Sequence, residues 1–151
     1  MTASGSPDAG LPDLEEGLAQ YQATDAAQMR SYGLCLLADA YQLADRWEDS
    51  IDISRTAIAE SRRTGVVFYL PEAYRLLGQG LYRLGKGRRA SARSLIMALR
   101  TAEMQCSVPL IELASQSLLD IVDSRRLRSI IKSRTAKVTD DSGQSEFYKI
   151  Q

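Results

Sequence analysis

The chain has no histidine, and only two of its 151 residues are cysteine, Cys35 and Cys106. Without imidazole, zinc sites of the usual mixed type are excluded, and any catalysis must draw on carboxylates, Lys, Tyr or Cys. The cysteines lie far apart and form no CxxC pair, so they read as two reduced thiols in a helical core. Net charge is also missing: 19 Lys and Arg balance 19 Asp and Glu, which removes any global attraction to nucleic acid or anionic membrane. No stretch approaches the length of a membrane span. The first residues, Met1 to Pro7, have neither the basic nor the apolar region of a signal peptide. The expectation is a cytoplasmic protein that needs no metal or cofactor.

The remainder is ordinary for a globular domain, 44% hydrophobic and 25% charged. The charge is uneven, however. Residues 1–29 carry Asp8, Asp13, Glu15, Glu16 and Asp25 and no base. Residues 66–106 carry Arg75, Arg83, Lys86, Arg88, Arg89, Arg93 and Arg100 against Glu72 and Glu103. The molecule should be polarised along its length.

One motif occurs twice. Leu37-Ala38-Asp39-Ala40-Tyr41-Gln42-Leu43-Ala44-Asp45 returns as Leu77-Gly78-Gln79-Gly80-Leu81-Tyr82-Arg83-Leu84-Gly85. Each copy is followed by a second helical pattern with a matched small–large pair, Ala57-Ile58 and Ala98-Leu99. Repetition at a period of about forty residues signals a stack of helix–turn–helix units.

The apolar spacing predicts six helices and no strands. They run from about Pro12 to Gln22, Ala27 to Ala44, Trp47 to Thr64, from Pro71 to the Gly85-Lys86-Gly87 turn, from Arg88 to Gln105, and from the Ser107–Pro109 start to Val122. The Gly85-Lys86-Gly87 turn is one residue longer than Asp45-Arg46. Residues 1–10 read as disordered, 11–123 as the repeat domain, and 124–151 as a basic and then polar, mobile tail.

These stretches resemble tetratricopeptide repeats. Ala38 and Gly78 match the small position of the first helices. Ser50, Ser91, Ala57 and Ala98 match the small positions of the second. The departures are Ser54 and Leu95, where the family pattern has an aromatic, and a period longer than usual. Connectors such as Arg63-Thr64-Gly65 give a closer likeness, to the C-terminal repeat region of large bacterial signalling proteins. Those pair an ATPase core with a cyclase or DNA-binding domain. The resemblance implies an all-α solenoid that binds other proteins in signalling or transcriptional regulation. It carries over no nucleotide-binding, catalytic or DNA-binding activity. A non-autonomous remnant of such a regulator is the alternative.

Chemistry finds little support in the residues. Gly85-Lys86 is followed by Gly87 rather than Ser or Thr and has no strand before it, so it is a turn and not a phosphate loop. Glu48, Asp49 and Asp52 suit the positive end of a helix. The basic run Arg125, Arg126, Arg128, Lys132, Arg134 and Lys137 lacks interleaved aromatics and is flanked by Asp120, Asp123, Asp140 and Asp141. Nucleic-acid binding through that run is therefore disfavoured. No enzyme is expected.

The first helix of each pair should line a groove through Asp39, Gln42, Glu72, Arg75, Gln79, Tyr82, Arg83, Gln116 and Asp120. Arg75, Tyr82 and Arg83 are the expected anchors, because Arg and Tyr concentrate binding energy. An acidic partner peptide would fit that half. The sixth helix carries Ile111, Leu118, Leu119 and Val122 with only Leu127, Ile130 and Ile131 available to cover them, which predicts association through this end, as a homodimer or with a larger protein. Gly78→Ala should be mild, since Ala38 holds the equivalent place.

Overall fold

The structure, a computed structural model, describes residues 10–22, 27–122 and 125–147. These residues form seven α-helices and no strand: α1 (Leu11–Gln22), α2 (Ala27–Leu43), α3 (Trp47–Thr64), α4 (Leu70–Arg83), α5 (Arg88–Met104), α6 (Val108–Ile121) and α7 (Arg125–Phe147). The expected disorder over residues 1–10, Gly10 apart, lies outside the described residues.

Helix boundaries follow local chemistry. Pro71 and Pro109 sit in the first turns of α4 and α6, where a missing N–H costs nothing. Acidic Glu48 and Asp49 open α3, and Arg62 and Arg63 close it before Gly65 at φ 73, in keeping with the helix dipole. Three helices end alike. After α2, Asp45 N–H bonds Gln42 O and Arg46 N–H bonds Tyr41 O. Gly85 and Lys86 repeat this on Tyr82 O and Leu81 O, and Cys106 and Ser107 on Glu103 O and Ala102 O. These are Schellman ends, with Asp45, Gly85 and Cys106 in left-handed backbone at φ 60, 63 and 53. The extra residue of the α4–α5 turn is Gly87 at φ 108. Cys106, expected in the core, is therefore an exposed turn residue, whereas Cys35 is buried.

Each helix packs on the next in sequence, and α4 also touches α2 and α6. The remaining set, α3, α5 and α7, makes no comparable backbone approach among the described residues. Glycines permit two of the close crossings. A Cβ on Gly78 would stand 2.6 Å from Leu95 Cγ and 3.2 Å from Ser91 O. One on Gly80 would stand 2.8 Å from Ile51 Cγ1. Gly78→Ala is therefore not mild: the Leu95 side chain is fully buried and has little room to retreat. In the first copy Ser54 takes the place of Leu95, so that Ala38 faces a smaller neighbour in the repeat register.

The tail expected from residue 124 contains α7, which raises the helix count from about six to seven. Its attachment is largely polar. Arg128 donates to Leu119 O (2.6 Å) and Val122 O (3.1 Å). The hydroxyls of Ser115 and Thr135 meet at 2.7 Å. Arg134 forks onto Glu103 of α5 at 2.6 and 2.7 Å. Ile131 enters the core, but Leu127 and Ile130 stay about half exposed. The α6 face is thus covered, with one of the three expected apolar residues as its lid.

Candidate functional site: the inner face of α2, α4 and α6

Of the nine residues expected to line a groove, Gln42, Glu72, Arg75 and Gln79 are occupied in bonds within and between α2, α3, α4 and α6. Gln42 Nε2 reaches across from α2 to donate to Leu76 O of α4 (2.9 Å) and to Ser50 Oγ (3.0 Å). Gln79 Nε2 donates from α4 to Ser117 Oγ of α6 (3.2 Å). These amides tie α2 to α4 and α4 to α6 with side-chain hydrogen bonds between helices.

Arg75 is the centre of the polar floor. Its Nε and Nη2 fork onto Glu72 at 2.7 and 2.5 Å, and Nη1 donates to Gln79 Oε1 at 2.8 Å. Only 12% of its side chain is exposed. Burial disfavours its charge, but the Glu72 bonds and the nearby Asp39 carboxylate outweigh that and raise its pKa. A guanidinium already neutralised in this way has little left for an acidic peptide, so Arg75 serves as an internal clamp.

The other expected residues diverge. Gln116 Nε2 donates to Asp120 Oδ1 (2.8 Å) on the exposed side of α6. Arg83 turns toward the α2–α3 turn, its guanidinium 5.6 Å from the centre of the Trp47 ring. Trp47 Nε1 in turn bonds Asp45. Tyr82 is exposed. Asp39 and Glu72 are the two that share a depression.

That depression is a cavity of about 250 Å³ between the middle of α2, the α3–α4 connector with the start of α4, and the start of α6. Its wall is apolar and aromatic, from Tyr32, Leu36, Phe68, Tyr69 and Leu110. Asp39 and Glu72 supply carboxylates at its edge. Tyr69 packs on both Tyr32 (4.8 Å between centroids) and Phe68 (5.0 Å). Gln105 Nε2 pins the connector by donating to Val67 O at 2.7 Å. Phe68 and Leu36 nevertheless remain 63% and 42% exposed, far more than a core position would leave them.

Sequence reasoning missed Tyr32, Leu36, Phe68 and Leu110. The Val66–Leu70 connector was legible as apolar, and an apolar connector between two polar-ended helices was the available signal. Cys35 also lines the cavity, but its thiol is pushed up to about 12 by burial and then by the Glu72 charge, while Arg75 pulls the other way. It carries no thiolate at neutral pH and is no nucleophile.

Among the described residues, no group of three or more His, Cys, Asp or Glu is placed to hold a metal ion. None of their helices is long and apolar enough to cross a membrane. No protein family, curated protein or solved structure matches the chain.

Proposed function

We propose that this chain is a protein-interaction module, an α-solenoid of tetratricopeptide-like helix–turn–helix units that binds a peptide segment of a partner along α2, α4 and α6. The observation that carries the reading is the cavity at the head of that face. It combines exposed aromatic and aliphatic side chains with two carboxylates and lies where successive first helices converge. Helical repeats bury their faces on one another and leave an extended inner surface for partners. The contact pattern, with α4 touching both α2 and α6, fits such a stack.

The floor sets the partner's chemistry. Arg75 is consumed by Glu72, and Asp39 adds a second negative group. A peptide presenting an apolar side chain beside a Lys or Arg suits this cavity better than an acidic one, with the cation against Asp39 and the aromatic rings. The resemblance to the repeat regions of bacterial regulators makes signalling or transcriptional control the setting we favour.

Selection of peptides from a random displayed library on the full chain tests the proposal. Selected peptides should pair an apolar residue with a neighbouring base. Leu36→Glu and Asp39→Lys should each weaken them at least about tenfold, or ~1.4 kcal/mol, with the helical circular dichroism unchanged. Selected peptides that bind both variants as tightly as the wild type would refute this site.

A further inference from the structure

The strongest charge asymmetry in the molecule lies away from the inner face. Helix α5 and residues 125–137 of α7 carry ten Lys and Arg and one acid, Glu103, which Arg134 already neutralises. Sequence alone separates these bases into two segments; the fold places them on neighbouring helices.

The register of each helix shows how they are arranged. On α5 the residues Ser91, Leu95, Ala98 and Ala102 are buried. The opposite stripe, Arg89, Arg93, Ile96, Arg100 and Met104, is exposed throughout and follows i, i+4, i+7, i+11, i+15 spacing. On α7, Ile131 points inward, and the Arg134–Glu103 fork fixes which flank turns toward α5. That flank also carries Arg126, Leu127, Ile130 and Lys137, all exposed. Arg128 is held on the α6 carbonyls and marks the other flank.

Because α5 and α7 do not approach closely, the Arg134–Glu103 fork spans a valley between them. Ile96 stands seven residues before Glu103, and Leu127 seven before Arg134, so with Ile130 they lie on the flanks beside the fork, 40%, 50% and 52% exposed. Arg89, Arg93 and Arg100 stand along one rim and Arg126 and Lys137 along the other. None of these five has an ion-pair partner among the described residues.

We propose that this outer valley is a second binding surface and that it takes an acidic amphipathic helix of a partner protein. An apolar stripe would lie on Ile96, Leu127 and Ile130, and flanking Glu or Asp would meet the two basic rims. The mixture of charge and aliphatic surface discriminates among polyanions. Nucleic acid would meet the bases but gains nothing from aliphatic side chains and finds no aromatic to stack on. A flat anionic bilayer would meet the bases without selecting an apolar stripe at helical spacing between them. A helix in a groove uses both features.

The test uses the full chain and a fluorescein-labelled helical peptide with leucines at i, i+3, i+4 and i+7 and glutamates on its remaining faces. Fluorescence anisotropy should show saturable binding. Arg93→Glu combined with Arg100→Glu should weaken it at least tenfold, and Ile130→Asp should do the same. All three residues are exposed, and unchanged circular dichroism would confirm intact folding. Leu36→Glu, on the inner face, should leave this binding unaltered, so the two surfaces can fail separately. The proposal is overturned if a scrambled peptide of equal composition binds as well, since charge alone would then suffice. It is equally overturned if duplex DNA or phosphatidylserine vesicles bind more tightly at physiological salt, if no binding occurs at hundreds of micromolar, or if sedimentation shows a second copy of the chain occupying the valley.

Discussion

The two copies of the repeated motif solve the same packing problem with opposite choices of side chain. In the first, the repeat register pairs Ala38 on α2 with Ser54 on α3, both buried. In the second, Gly78 lies on α4 and the facing residue is Leu95, whose Cγ would stand 2.6 Å from a Cβ on Gly78. The volume missing on one helix is present on the other. The polar groups follow suit. Ser91 Oγ donates to Gly78 O at 2.7 Å, whereas in the first copy Ser50 Oγ accepts from Gln42 and Ser54 Oγ is buried without a partner.

The largest expected effect comes from breaking the second copy outright. Gly78→Leu drives a full side chain into Leu95 and the Ser91 carbonyl and should cost ~3 kcal/mol or more. A denaturation midpoint equal to the wild type's would show that the register of the two copies is wrong.

A subtler test exchanges one choice for the other. Gly78→Ala gains ~1 kcal/mol of helix propensity but meets Leu95 at far below contact distance, and overpacking of that kind costs ~1–3 kcal/mol. The net effect should be destabilising. In a Leu95→Ala background the clash with that side chain disappears, leaving the 3.2 Å approach to Ser91 O, and the same change should be clearly less destabilising. A double-mutant cycle measures the coupling, expected at ~1 kcal/mol or above. Additive effects would mean that the two positions do not share the crossing.

Much of this architecture was legible in the sequence because the inner faces of α2 to α6 are written in apolar residues at helical spacing. Ser91, Leu95, Ala98, Leu99 and Ala102 are all buried as their pattern requires. The start of α3 at Trp47 and its end at Thr64 follow from acids, bases and a glycine placed where the helix dipole and a left-handed cap want them. Of helix α7 only about one turn was legible, Leu127, Ile130 and Ile131 at i, i+3, i+4, because Arg128, Arg134 and Thr135 fasten the rest through hydrogen bonds that leave no hydrophobic period. The groove was legible only in part. Spacing places Arg75 and Gln79 on one face, but whether such side chains greet a partner or each other depends on neighbours from other helices, here Asp39 and Ser117. Phe68 carried the one signal of an apolar connector, whereas Leu110 joined the cavity through tertiary proximity alone.

The matching helix ends offer a smaller effect of opposite sign. Asp45 and Cys106 occupy the left-handed position that glycine fills in the second copy. Cys106→Gly should raise stability by ~1 kcal/mol, since a β-carbon in that conformation is strained by about this amount. A lowered melting temperature would mean that the Cys106 side chain has a role not evident in its exposed position.

The two thiols sharpen the same contrast between turn and core. At pH 8 iodoacetamide should modify Cys106 and spare Cys35, whose pKa burial and Glu72 hold near 12 against an ordinary 9.0. A folded-state pKa raised in this way leaves its stabilising contribution intact below pH 9. That contribution is lost as the pH climbs toward 12, because the unfolded chain ionises first. Labelling of both thiols in the folded protein at equal rates would place Cys35 outside the core.

The most direct measurement of the central claim is amide chemical-shift mapping of the full chain with a selected peptide that pairs an apolar residue with a neighbouring Lys or Arg and carries no acid. The predicted result is a set of shifts concentrated at Tyr32, Leu36, Asp39, Phe68, Glu72 and Leu110, with the outward residues of α3, α5 and α7 undisturbed. Shifts confined to those outer helices, with the cavity residues unmoved, would contradict the assignment of the inner face as the peptide-binding surface.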